Sequence, residues 1–391
     1  MLHRTGLRLL RDRLPIFNSL SERAGSKNLL PSLDGLRAIA VILVFLEHIT
    51  GNVFREDTVE SGAFFGPFLN FGDVGMGRSG VYLFFVLSSF LLTSQLLKPH
   101  INFRDPVLWI NYGFKRFIRI YPLYLCVLIV YYKFPSFKYD FGDVLSHLAL
   151  QRAENHFWTL PVEIKYYFIL PGIAWLMSRV LKRNLLLTIL ASVSLILLLS
   201  LMSATVSTPA RLSILPHLPV FLVGSLAALV QVKLLGCTWL RQRHVSTVME
   251  AIAILSLIGI VLSLPVGLSH GLWFWLSDKV PAVLAAHWVY QLQGCLWAVF
   301  LVSHLHGRGW TQRFLSWKPL RHIGVVSFGI YLWHIAVLGY LDAHLEVPSF
   351  VKMLAITVVT VSVATVTYIT IEQPAMQLRL PLPQPVALAK K

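Results

Sequence analysis

The sequence predicts an all-α polytopic membrane protein with about ten transmembrane helices and both termini on the cytoplasmic side. Three observations carry this prediction. Of 391 residues, 56% are hydrophobic and only 13% are charged, against about 25% charged in an ordinary soluble domain. Ten stretches are each long and apolar enough to cross a bilayer, which takes about 20 residues in a helix. The basic residues, 34 Lys+Arg against 18 Asp+Glu for a net charge of +16, collect in alternate connections between those stretches. Backbone groups in lipid must be bonded within their own segment, so the stretches are helices. A β-barrel would show short alternating runs instead.

The elements follow in order, each bounded by its charges. The first span, 36–54, carries Arg37 at its inner end, behind Arg23 and Lys27. The second, 79–97, returns to Lys98, and the third, 117–135, starts from Lys115, Arg116 and Arg119. The fourth, 158–178, ends at Arg179, Lys182 and Arg183, and the fifth, 185–204, leaves from the same cluster. The sixth, 212–232, runs into Lys233, and the seventh, 246–268, follows Arg241 and Arg243. The eighth, 287–305, stops before Arg308 and Arg313, and the ninth, 320–341, follows Lys318 and carries Arg321. The tenth, 350–372, returns ahead of Arg379, Lys390 and Lys391. With the N-terminus inside, 25 of the 34 basic residues fall on inner segments, as the positive-inside rule requires. Residues 137–150 suit a short extracytoplasmic helix, and 271–286, with Trp273, Phe274 and Trp275, suit the interface.

Residues 1–31 mix Arg with Leu, Ile and Phe, giving a basic cytoplasmic arm that is either amphipathic on the anionic inner leaflet or disordered. Residues 32–375 form the membrane domain and 376–391 a short cytoplasmic tail. No cleaved signal peptide is expected, so the first span is read as the targeting signal. The positive charge is explained by topology, and nucleic acid is not an expected partner. Cys126, Cys237 and Cys295 lie far apart without a CxxC pair, and no metal site is expected. GxSxG, Walker, HExxH and strand–GxGxxG–helix patterns are absent.

Polar residues inside a bilayer are costly, which makes each a functional candidate. Arg37 and His48 are eleven residues apart. Eleven steps of ~100° bring them to one helix face, ~16 Å apart along the axis. A deep neutral imidazole takes and returns a proton near pH 7. Snorkelling for Arg37 and packing for His48 are the plainer alternatives. Glu47 precedes His48. Lys115, Arg116 and Arg119 at an inner mouth suit a phosphate-bearing ligand or simply lipid head groups. Glu163, read at the outer mouth of the fourth span, suits the orientation of an imidazole or the binding of an acceptor hydroxyl, with an interfacial ion pair as the alternative. Tyr331 and His334 put polar groups on the ninth span, where packing alone would also account for His334.

These segments resemble the acyltransferase family 3 membrane proteins, which O-acylate surface glycans and some small molecules. The resemblance covers Ser32 to Pro374. Ser32-Leu33-Asp34-Gly35-Leu36-Arg37 followed by His48 is similar to the family's opening, an Arg and then a His after ten intervening residues. Gly80 to Leu91 resembles its second-span motif, and Arg116-Phe117-Ile118-Arg119 its Arg-x-x-Arg. Phe157-Trp158-Thr159-Leu160-Pro161-Val162-Glu163 resembles its Trp-Ser-Leu-x-Val-Glu, Ser327 to His334 its Ser-Tyr-x-x-Tyr-Leu-x-His, and Tyr368, Glu372 and Pro374 its ending. The chain departs from the pattern at Tyr82, where Asp is usual, at Ser89, where Gly is common, and at Ile164 and Lys165, where Glu-Gln is usual.

The resemblance implies roles. His48 would be the general base or the acyl relay. Arg37 would help bind or orient the donor. Arg116 and Arg119, with Lys115, would hold the phosphates of acyl-CoA, and Glu163 would support the acceptor or the histidine. The expected function is transfer of an acyl group, most simply acetyl from acetyl-CoA, to a hydroxyl of a carbohydrate or lipid-linked glycan at the extracytoplasmic side. Membrane lipids are the surrounding partners, and a bacterial cytoplasmic membrane is the expected location. The alternative is a transporter or flippase for a polar lipid or glycan. No attached soluble domain is expected, so a second transfer step would need a separate partner.

Overall fold

The computed structural model describes residues 31–53, 75–134, 137–152, 154–205, 212–264 and 282–381. The expected basic arm, most of the C-terminal tail and residues 271–281 of the expected interfacial segment 271–286 lie outside the described residues, and 282–286 belong to a helix. Each of the ten apolar stretches contains a helix. In chain order these are α1 (Ser32–Val53), α2 (Met76–Leu96), α3 (Pro106–Lys133), the short α4 (Phe141–Leu148), α5 (Thr159–Trp175), α6 (Leu185–Thr205) and α7 (Leu218–Leu234). They are followed by α8 (Arg243–Leu262), α9 (Ala282–His306), α10 (Trp310–Leu315), α11 (Lys318–Val325), α12 (Ser327–His344), α13 (Ser349–Thr367) and α14 (Gln373–Gln377). Among the described residues, five helices are long and apolar enough to cross a membrane by themselves, and a bent pair makes a sixth.

The boundaries follow local chemistry. α3 starts eleven residues before the expected span at 117, because Asp105 caps it by accepting from Val107 N at 2.9 Å and Pro106 sits in its first turn. α7 starts at Leu218 rather than 212: Pro216 lies in the turn before it, and Pro219 occupies its first turn, where a missing N–H costs no helical bond. The short helix expected within 137–150 is α4, closed by a capping box between Asp140 and Asp143.

The expected ninth span is not one rod. α11 and α12 meet at Val326 with a bend of 72°. At this bend α11 packs directly against α1. A methyl group on Gly324 would overlap the carbonyl oxygen of Asp34, and one on Gly35 the carbonyl of Leu315. The backbone of α1 therefore touches α11 and the end of α10 directly, an approach that only glycine permits. At the end of α13 the backbone widens into a π turn over Tyr368–Glu372, with both of those residues buried. π turns are rare and concentrate at functional sites.

Buried hydroxyls join the helices. Ser225 of α7 accepts from Thr93 of α2 at 2.9 Å and bonds the hydroxyl of Tyr166 of α5 at 2.7 Å. The Trp297 indole of α9 donates to Ser79 of α2 at 3.0 Å. These bonds satisfy polar atoms that would otherwise be stranded in an apolar interior, and they fix α2 at the centre, flanked by α1, α5, α7 and α9.

Candidate active site

Two clusters of polar side chains meet inside the bundle. The first lines a cavity of about 340 Å³. Arg37 reaches it from α1, and Arg116 and Arg119 from one face of α3. Glu163 of α5, Ser88 of α2 and Tyr331 of α12 also line it.

The three guanidiniums differ in what holds them. Arg119 lies 2.6 Å from Glu372, whose side chain is 1% exposed and is delivered by the π turn. Arg37 sits 3.5 Å from Asp34, one turn earlier on α1. Arg116 has no carboxylate partner among the described residues. It lies 5.9 Å from the centre of the Tyr167 ring, and its buried Nε has no hydrogen-bond partner. A sheltered cation without a counter-ion is costly, so of the three, Arg116 has the most to gain from an incoming anion. Tyr167 and Arg116 also wall a second, mostly aromatic cavity of about 620 Å³ between α3 and α5. Arg116 and Tyr167 line both cavities and so stand between the polar and the aromatic one.

Glu163 accepts hydrogen bonds from Ser88 at 2.7 Å and from the Tyr167 hydroxyl at 2.6 Å. Ser88 lies in the middle of α2, so Glu163 sits deep in the bundle rather than at the mouth of its span, where the sequence suggested it. The cause is the 3₁₀ turn before α5. Its residues His156 and Phe157 are buried, so α5 begins inside the protein.

The second cluster is formed by three imidazoles. The ring of His48 on α1 is 5.0 Å from that of His334 on α12, and His334 is 4.8 Å from His156. Each ring is oriented by a backbone carbonyl. His48 Nδ1 donates to Val44 O at 2.8 Å, His334 Nδ1 to Tyr331 O at 2.7 Å, and His156 Nε2 to Leu332 O at 3.3 Å. A carbonyl only accepts, so these bonds fix the tautomers. His48 and His334 keep lone pairs on Nε2, and His156 keeps one on Nδ1. Burial, reinforced by the two neighbouring imidazoles, pushes His156 well below the ordinary histidine range, so it is neutral at pH 7. Among the described residues no group of three or more His, Cys, Asp or Glu is placed to hold a metal ion.

Tyr331 stands between the clusters. Its hydroxyl donates to the carbonyl of His156 and bonds Thr159 Oγ1 at 2.7 Å. It lines the arginine cavity, while His334, one turn further along α12, packs against His48. The structure thus brings Arg37, Arg116, Arg119, Glu163 and Tyr331 to one cavity, and packs His48 and His334 together in the imidazole cluster. Two candidates stand apart. Glu47 accepts from Gly77 N at 2.5 Å and so caps the start of α2. Lys115 is exposed and does not line the cavity. Sequence reasoning missed His156, although it directly precedes the Phe157–Glu163 string. It also left Ser88 without a role inside the second-span motif.

Apolar helices of spanning length, with a cation-lined chamber and an imidazole cluster enclosed among them, define the class: a helical membrane protein with a polar site in its core. The chain belongs to acyltransferase family 3, whose model, described as an acyltransferase domain, matches residues 30–369. It is 24% identical over 403 residues to O-acetyltransferase OatA of Staphylococcus aureus, covering 90% of this chain and 58% of that protein. It is also 24% identical over 380 residues to peptidoglycan O-acetyltransferase OatA of Listeria monocytogenes, covering 89% of this chain and 56% of the relative. The chain therefore spans rather more than half the length of the curated relatives it matches. No solved structure matches it.

Proposed function

We propose that this protein is an integral membrane O-acetyltransferase that takes an acetyl group from acetyl-CoA on the cytoplasmic side and delivers it to a glycan hydroxyl on the extracytoplasmic side. The observation that carries the proposal is the pairing of an anion-ready cavity at Arg37 and Arg116 with an imidazole, His48, whose Nε2 is free to accept a proton. Family membership and the names of the two relatives support the reaction type, and the Listeria name supports a peptidoglycan-like acceptor. A bacterial cytoplasmic membrane is the proposed location.

In this mechanism Arg116 and Arg37 bind the phosphates of the donor through charge-assisted hydrogen bonds. The aromatic chamber beyond Arg116 takes the uncharged arm of CoA. His48 Nε2 removes the proton of the acceptor hydroxyl as its oxygen attacks the thioester carbon. The new C–O bond forms, the C–S bond breaks, and the proton passes from His48 to the leaving thiolate. Glu163, held by Ser88 and Tyr167, orients the acceptor.

The test is purified protein in detergent with acetyl-CoA and soluble muro-oligosaccharides, with CoA release followed by a thiol reagent and the ester found by mass. Oligosaccharide-dependent release with stoichiometric ester supports the proposal. Movement of labelled oligosaccharide across vesicles without any acetyl-CoA requirement would replace it with a transporter.

A further inference from the structure

His334 carries an unexplained atom. The residue is 1% exposed, and its Nε2 is buried without a hydrogen-bond partner. Its Nδ1 is committed as a donor to Tyr331 O at 2.7 Å, so Nε2 is an acceptor with nothing to accept. A buried acceptor left unsatisfied in a low-dielectric interior is costly. The rings around it are those of His156 at 4.8 Å, His48 at 5.0 Å, Tyr331 at 5.9 Å and Phe45 at 6.3 Å, and the Tyr331 hydroxyl already donates to the carbonyl of His156. Of these, only the imidazoles can supply an N–H to it.

The turn that carries His334 is fixed from outside. His156 donates to the carbonyl of Leu332 and accepts from the hydroxyl of Tyr331. The 3₁₀ turn before α5 thus grips α12 at two successive residues and sets where the His334 ring points. His156 is neutral, so it offers no second proton at neutral pH. Glu47 lies beside His48 with Arg78 on its other side, and His147 lies beyond His156. Glu47 is committed to Gly77 N and Arg78 to the Tyr290 hydroxyl at 2.6 Å. The ring packed edge-on against His48 is that of His334, and its Nε2 lone pair is free.

We propose that His334 is a positioning residue for His48, whose buried Nε2 accepts the N–H that His48 gains when it takes the acceptor's proton. The inference rests on the transferase reading given above. The hydroxyl O–H bond breaks and the proton goes to His48 Nε2. While the C–O bond forms and the C–S bond breaks, a small tilt of the ring lets the imidazolium share that proton with His334. The proton then leaves to the CoA thiolate, and His334 ends unchanged. The sharing holds the proton away from the attacking oxygen and favours the forward step.

Two substitutions separate this role from packing. His334→Phe keeps a ring without a nitrogen, and His334→Gln keeps an acceptor without a ring. His334→Phe should lower kcat about ten- to one-hundredfold, the range of one hydrogen bond to a charged group, with KM for acetyl-CoA and for the oligosaccharide nearly unchanged. His334→Gln should recover most of that loss. A second readout needs no turnover. In protein carrying ¹⁵N-histidine, the His334 Nε2 resonance should move from an unbonded to a hydrogen-bonded acceptor position as His48 is protonated. In His48→Gln it should stay in place across the same titration. Equal kcat in wild type and His334→Phe would overturn the inference, as would a His334 resonance indifferent to His48. Absence of CoA release in wild type, with the resonance still coupled, would sink the transferase reading alone.

Discussion

Arg116 and Arg119 occupy one face of α3, yet the structure predicts opposite consequences for their removal. Arg116 has no carboxylate partner among the described residues, so its guanidinium is available to a ligand. On the proposed donor role, Arg116→Ala should delete charge-assisted hydrogen bonds to the donor, worth about 1.5–3 kcal/mol. At tenfold for each 1.4 kcal/mol, KM for acetyl-CoA rises about ten- to one-hundredfold. KM for the acceptor and thermal stability stay close to wild type. Arg119 instead balances Glu372 at 2.6 Å, with that carboxylate 1% exposed. Arg119→Ala leaves a buried charge alone and costs about 3–5 kcal/mol of stability. Arg119→Ala combined with Glu372→Gln removes both charges and restores most of that loss. The assay is paired: steady-state CoA release at varied acetyl-CoA, and unfolding followed by tryptophan fluorescence in the same detergent. Equal effects of the two single substitutions on donor KM, with no difference in stability, would refute the assignment.

Three further outcomes follow from the geometry. Gly324→Ala drives a methyl into the Asp34 carbonyl, a backbone atom that cannot move without shifting α1, so the yield of folded protein should fall sharply by size-exclusion chromatography. Glu163→Gln keeps an oxygen that accepts from Ser88 and Tyr167 but loses the charge. Melting should hardly change while transfer falls about tenfold or more, the low end of an oriented acid–base contribution, and full activity would remove Glu163 from the site. His147 on α4 is buried against Tyr139 and bonded to the Tyr124 hydroxyl at 3.0 Å, and burial lowers its pKa. The unfolded chain then binds the extra proton first, so the stability due to neutral His147 is complete above about pH 6.5 and is lost as pH falls below it. Hydrogen exchange of α4 should accelerate on acidification in wild type and much less in His147→Phe.

Much of the helical plan was legible because apolar length and flanking charge are local properties. Each of the ten apolar stretches contains a helix. The break at Val326 was not legible, and the contact beside it, between Gly324 and the backbone of Asp34, joins residues 290 positions apart in the chain. The start of α3 was missed for a different reason: hydropathy locates the apolar centre of a helix, whereas Asp105 and Pro106 set its end. Within the site, helix geometry put Arg116 and Arg119 on one face, and both line the cavity. Their difference in pairing came from Glu372, which reaches Arg119 only through a π turn. His156 was passed over because it is one of 14 scattered histidines. Its value comes from the fold, which sets it against His334.

The most direct test of the central claim is sided. Protein reconstituted in liposomes with the cytoplasmic face outward receives acetyl-CoA outside and muro-oligosaccharide inside, with His48→Ala run in parallel. The account predicts CoA appearing outside and O-acetyl ester accumulating inside with wild type, and neither with folded His48→Ala. Normal ester formation by His48→Ala, or transfer only when both substrates share one compartment, would contradict it.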